Sequence, residues 1–170
     1  MLGDIVIRGA GRMSQLANFT YEEIAVGQTA SWSKQVEERD IQLFAAVSGD
    51  VNPVHLDAGF AATTPYKHRI AHGMLTGAVI SAALAMKLPG PGTVYLSQSL
   101  RFRQPLSIGD TLHIRLEVTD KKDRLKVITI DCKARNQHDK LVATGTAEVI
   151  APTEKLRVDP PAMPRVEISP

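Results

Sequence analysis

Hydrophobic positions divide the chain into an opening strand, a helical stretch and a long run of alternation. Gln28 to Val36 has strand character and is entered through the turn Val26-Gly27-Gln28. Ile41, Phe44, Ala45 and Ser48 then follow helical spacing, with Glu37, Glu38 and Asp40 supplying charge to the first turn. That helix is expected to end at Gly49, and Asp57 is placed to cap a short helix through Thr63. Met74 to Met86 carries no charge and little polarity on any face, the pattern of a helix buried all round. It is too short to span a membrane, and Pro89, Gly90, Pro91 and Gly92 stop it. Beyond it the period becomes two. Val94 to Phe102 reads as one strand, Leu112, Ile114, Leu116 and Val118 mark one face of the next, Ile128 to Ala134 a third, and Leu141 to Ile150 a fourth. Short turns join them as in an antiparallel meander. One uncharged helix with about five antiparallel strands predicts an α+β domain in which a sheet curls around a central helix. Its edge strands need cover, so a second subunit is expected to pair with it.

Length and charge narrow the classes. A chain of 170 residues suits one domain with its own core. The formal net charge is only +2 and basic residues form no block, which argues against nucleic acid as a partner. No apolar run is long enough to cross a bilayer, and Met1 to Arg12 lacks the apolar middle of a signal peptide. The single cysteine, Cys132, suits a reducing compartment, so a cytoplasmic location is expected. Residues 1–17 are expected to be a disordered arm and 18–151 the folded domain. Residues 152–170, with Pro152, Pro160, Pro161, Pro164 and Pro170, are expected to be a tail or linker.

The segment with most chemistry is Ser48-Gly49-Asp50-Val51-Asn52-Pro53-Val54-His55. A carboxylate and an imidazole five residues apart suit neither a strand face nor a helix face. Pro53 fixes its own φ and pushes Asn52 into an extended conformation. The expected geometry is a helix end that folds back and brings Asp50 and His55 to one spot, as proton transfer through a bound water requires. An Asn-Pro corner also occurs where a chain only reverses, and these residues alone leave that reading open.

These segments resemble the MaoC-like hydratases, or R-specific enoyl-CoA hydratases, of the hot-dog fold superfamily. The resemblance runs from Phe19 to Pro152. Phe44 to His55 is similar to the family's hydratase motif, His72-Gly73-Met74-Leu75 to the opening of its central helix, and Tyr95 to Phe102 to its next strand. The resemblance implies a hot-dog fold, a curved antiparallel sheet around a buried helix. It implies reversible syn addition of water to a trans-2-enoyl-CoA, giving an (R)-3-hydroxyacyl-CoA. The family's catalytic pair falls on Asp50 and His55, its main-chain donor to the thioester oxygen on Gly73, and a serine near its active site on Ser81. Asn52 is expected to brace the loop through an Asx turn and Pro53 to stiffen it. The partners implied are an acyl-CoA substrate and a second copy of the chain, in a homodimer or larger homo-oligomer. No cofactor is implied, since coenzyme A belongs to the substrate.

Other residues carry blander readings. Ser81 also fits a small core residue bonding back to a helical carbonyl. His68 and His72 have a metal-compatible spacing, but no Glu follows His68 and no third ligand is evident, so no metal is expected. Cys132 is expected in the core. Arg101, Arg103, Lys121, Lys122 and Lys126 suit either coenzyme A phosphates or a solvated face. Met74, Leu75, Val79 and Leu84 are expected to fill the core, with an acyl tunnel as the other reading. Besides hydration, the readings are dehydration of a 3-hydroxyacyl group on coenzyme A or acyl carrier protein, and a hydratase domain of a fused phosphate acyltransferase. From another class come a non-catalytic acyl-CoA-binding subunit and a hot-dog thioesterase.

Overall fold

In the computed structural model, which describes residues 15–168, the alternating half of the chain becomes a six-stranded antiparallel sheet. The elements in chain order are β1 (Leu16–Ala17), β2 (Thr29–Gln35), α1 (Glu38–Ser48), α2 (Pro53–Leu56), α3 (Ala58–Thr63) and α4 (Gly73–Met86). They continue with β3 (Val94–Gln98), β4 (Arg101–Phe102), β5 (Thr111–Lys122), β6 (Val127–Arg135), β7 (Leu141–Ile150) and β8 (Arg157–Val158). The large sheet runs β2-β5-β6-β7-β3, with β4 also on β7, so β2 and β3 are its edges. β5, β6 and β7 form the expected meander, with Leu116 opposite Cys132 and Cys132 opposite Gly145.

Alternation puts Leu112, Ile114, Leu116 and Val118 of β5 on the inner face beside Ile128, Ile130, Cys132 and Ala134 of β6. They close on Leu75, Val79, Ile80, Ala83 and Leu84 of α4. Each fully buried Leu or Ile contributes roughly 1.5–3 kcal/mol of apolar burial, so the sheet and α4 make one core. No helix among the described residues is long and apolar enough to cross a membrane.

Three expectations change. α4 is not buried all round: Met74 is 56 % exposed, and Ala78 and Ala85 are open as well. The sheet covers one side of an uncharged helix and leaves a stripe bare. The expected strand from Val94 to Phe102 breaks into β3 and β4, because Ser99 crosses over Gly145. There the Ser99 N–H donates to the Thr146 carbonyl (2.9 Å) and the Thr146 N–H to Ser99 Oγ (3.0 Å). Finally, ordered backbone passes both expected domain edges. β1 pairs with β8, and the buried Asn18 amide donates to the Glu154 carbonyl (2.8 Å) while accepting from the Leu156 N–H (2.9 Å). One side chain thus satisfies backbone that a proline-rich segment leaves unpaired. Residues 1–14 of the expected arm lie outside the described residues.

Candidate active site

The site is built where α1 ends. Gly49 takes φ 76°, the left-handed conformation that glycine adopts without penalty, and its N–H closes the helix on the Ala45 carbonyl at 2.9 Å. Side chains then fold the next five residues back. Asp50 Oδ1 accepts from the Asn52 N–H (3.2 Å), and Asn52 Oδ1 from the Val54 N–H (3.2 Å), capping α2 with Pro53 in its first turn. That turn carries His55 back over the loop. Its Nε2 comes to 3.9 Å from Asp50 Oδ2.

The two side chains sit in unlike surroundings. The Asp50 side chain is half exposed, and the His55 side chain is nearly buried. His55 Nδ1 donates to the Ile70 carbonyl at 2.8 Å. A carbonyl only accepts, so in the neutral ring Nδ1 carries the proton and Nε2 presents its lone pair toward Asp50. Two acceptors 3.9 Å apart do not bond each other. They can each accept one O–H of a single water standing about 2.8 Å from both.

A cavity of about 350 Å³ opens beside them, lined by His55, His72, Gly73, Thr76, Phe102 and Arg103 among others. Gly73 is the first residue of α4, and its N–H makes no hydrogen bond among the described residues. No acidic residue stands in the first turn of α4 to offset its positive end. An added Cβ at Gly73 would come into ordinary contact with the Phe102 ring, at 3.4 Å.

The remaining residues singled out from the sequence are placed as follows. Asn52 and Pro53 form the corner itself. Ser81 lies eight residues beyond Gly73, about 12 Å along the helix axis, and is not among the cavity lining. It belongs to the open stripe of α4 with Met74, Ala78 and Ala85, and is itself half-buried. His68 and His72 share no helix, because the segment before Gly73 is loop, and His68 Nε2 pairs with Ser107 Oγ at 2.8 Å. The metal-compatible group is instead Asp50, His55 and His72, whose ligand atoms lie within 4.8 Å of one another. The two rings stack, with centroids 3.9 Å apart and planes 31° apart. His55 Nδ1 already donates to the Ile70 carbonyl and His72 Nε2 to the Asp50 carbonyl, which leaves one nitrogen of each ring unengaged. Cys132 is in the core, and burial pushes its thiol up to about 12. Arg103 borders the cavity. Lys121 and Lys126 lie over the Tyr21 ring and Lys122 pairs with Glu148, so those three are engaged elsewhere.

Thr76 escaped sequence reasoning, and His72 was read there only as a possible metal ligand and as part of the opening of α4. Thr76 is buried on the cavity wall, one turn after Gly73; a hydroxyl at that spacing in an apolar helix was the available signal. His72 occupies the N-cap of α4, where Ser, Thr, Asp or Asn is usual, and that mismatch was its signal.

Known proteins resemble this chain over most of its length. The MaoC like domain family matches residues 22–140. An (R)-specific enoyl-CoA hydratase of Rhodospirillum rubrum is 44 % identical over 134 residues, covering 78 % of this chain and 91 % of that protein. A 3-hydroxybutyryl-CoA dehydratase of Methylorubrum extorquens is 40 % identical over 151 residues, covering 89 % and 95 %. Among solved structures, the unliganded R-hydratase PhaJ1 from Pseudomonas aeruginosa superposes with a TM-score of 0.88 at 52 % identity, covering 92 % of this chain and all of that one.

Proposed function

The chain belongs to the MaoC-like domain family with a hot-dog fold, and from that premise we propose how its site works as a hydro-lyase. The activity is reversible hydration of trans-2-enoyl-CoA to (R)-3-hydroxyacyl-CoA, in keeping with its hydratase relatives. The observation that carries the mechanism is the 3.9 Å gap between His55 Nε2 and Asp50 Oδ2 beside the free Gly73 N–H.

The pair grips one water by its two O–H bonds, which leaves an oxygen lone pair to face C3 of the enoyl group. As the oxygen bonds to C3, one water proton passes to the pair. The C2=C3 electrons move toward C1, and charge gathers on the thioester oxygen. The Gly73 N–H and the positive end of α4 stabilise that oxyanion; one such donor is typically worth about 3–4 kcal/mol. When the thioester carbonyl re-forms, C2 takes a proton from the pair on the same face. One water is added and nothing is oxidised. We assign acid and base work to Asp50 and His55 as a unit, because coupled groups titrate together. Arg103 on the cavity rim is the cation placed to meet a phosphate of coenzyme A. No metal or cofactor takes part.

The working form in this reading is a cytoplasmic homodimer. The edge strand β3 exposes Val94, Tyr95 and Leu96, and α4 its stripe of Met74, Ala78 and Ala85. A second copy covers that apolar surface, which includes the stripe on which Ser81 lies. The lone buried thiol suits a reducing compartment. A chain-length series of trans-2-enoyl-CoA substrates, followed by loss of the enoyl absorbance with chiral analysis of the product, tests the reading. It predicts the (R) alcohol without thiol release. An (S) product, or free coenzyme A as the main product, would contradict it.

A further inference from the structure

We propose that His72 is a positioning residue for the hydration step: it holds the Asp50 backbone and the His55 ring in register. The inference rests on the hydratase reading and adds a residue to it.

Three observations converge on this side chain. His72 Nε2 donates to the Asp50 carbonyl at 2.9 Å, tying the start of α4 to the loop after α1 across 22 residues of chain. The Asp50 side chain is half exposed, and among the described residues its one hydrogen bond comes from the Asn52 N–H, so where its carboxylate points is set chiefly by its backbone. Second, the His72 ring packs against two others. The His55 centroid is 3.9 Å away and the Phe44 centroid 4.9 Å. His55 is thus fixed at its edge by the Ile70 carbonyl and across its face by His72. Third, Nδ1 of His72 is buried with no partner among the described residues. An unpaired buried polar atom is unfavourable, and such misfits gather where function requires the residue. His72 also makes no cap bond to α4.

The test compares kcat and KM of full-length wild type, H72F and H72Q on crotonyl-CoA, with a thermal midpoint for each. H72F keeps a ring and loses the N–H. H72Q keeps an N–H at the reach of Nε2 and loses the ring. The proposal predicts that H72F folds and loses about 10–100-fold in kcat, the scale typical of groups that orient a reactive side chain, with KM within about threefold of wild type. H72Q should recover most of that loss. If H72F does not fold, H72M takes its place as the variant without a donor. A kcat unchanged in H72F, a loss confined to KM, or an H72Q as impaired as H72F would overturn the proposal. An inactive wild type would instead overturn the hydratase reading itself, so the two failures are distinguishable.

Discussion

The Ile70 carbonyl accepts a hydrogen bond from His55 Nδ1, and Arg69, its neighbour, is forked onto Glu38 of α1 at 2.7 and 2.6 Å. The loop that orients the imidazole is thereby anchored to the helix that delivers the carboxylate. The sequence showed the Asp50–His55 pair because the whole turn is local, written in Gly49, Asn52 and Pro53. The Ile70, Arg69 and His72 contacts join residues 15 to 31 apart, and no local pattern announces them. Cys132 gives a sharp check at this scale. Its thiol is buried and pushed up to about 12, so it stays protonated near neutrality. A thiol reagent should find no reactive sulfur in the native protein and one after denaturation; rapid native labelling would show that β6 does not sit against the core as described. The same silence makes thiol release a clean signal in the thioesterase assay.

At the scale of elements, periodicity located α1, α4 and the meander to within a few residues, since each buries a face at its own period. It missed the break between β3 and β4. Val94 to Phe102 reads as uninterrupted strand, and the cause of the break lies on another strand, at Gly145. A Cβ there would stand 1.8 Å from the Ser99 carbonyl oxygen. Gly145→Ala must therefore push backbone apart. Overpacking of this kind costs about 1–3 kcal/mol, which predicts a thermal midpoint lower by roughly 5 °C. Calorimetry on the variant checks it, and an unchanged midpoint would mean the crossing is looser than drawn. Burial of α4 was overread for a related reason. A helix without charge looks buried on every side, yet a single sheet can cover only one.

In the whole molecule, the stripe along α4 and the β3 edge are apolar and uncovered. The homodimer reading predicts that the wild type runs at twice the chain mass by light scattering. Ala78→Glu, placed on the open stripe, should shift it to one chain mass while far-UV circular dichroism stays the same. A wild type that runs as a monomer would contradict the reading. Above all, the account depends on Asp50 and His55 sharing one water. The most direct test is the turnover of Asp50→Asn on a trans-2-enoyl-CoA, because that change keeps the shape of the side chain and removes its charge. A folded variant whose kcat falls by about 10²–10⁴-fold is the predicted result, and near-normal turnover would contradict the account.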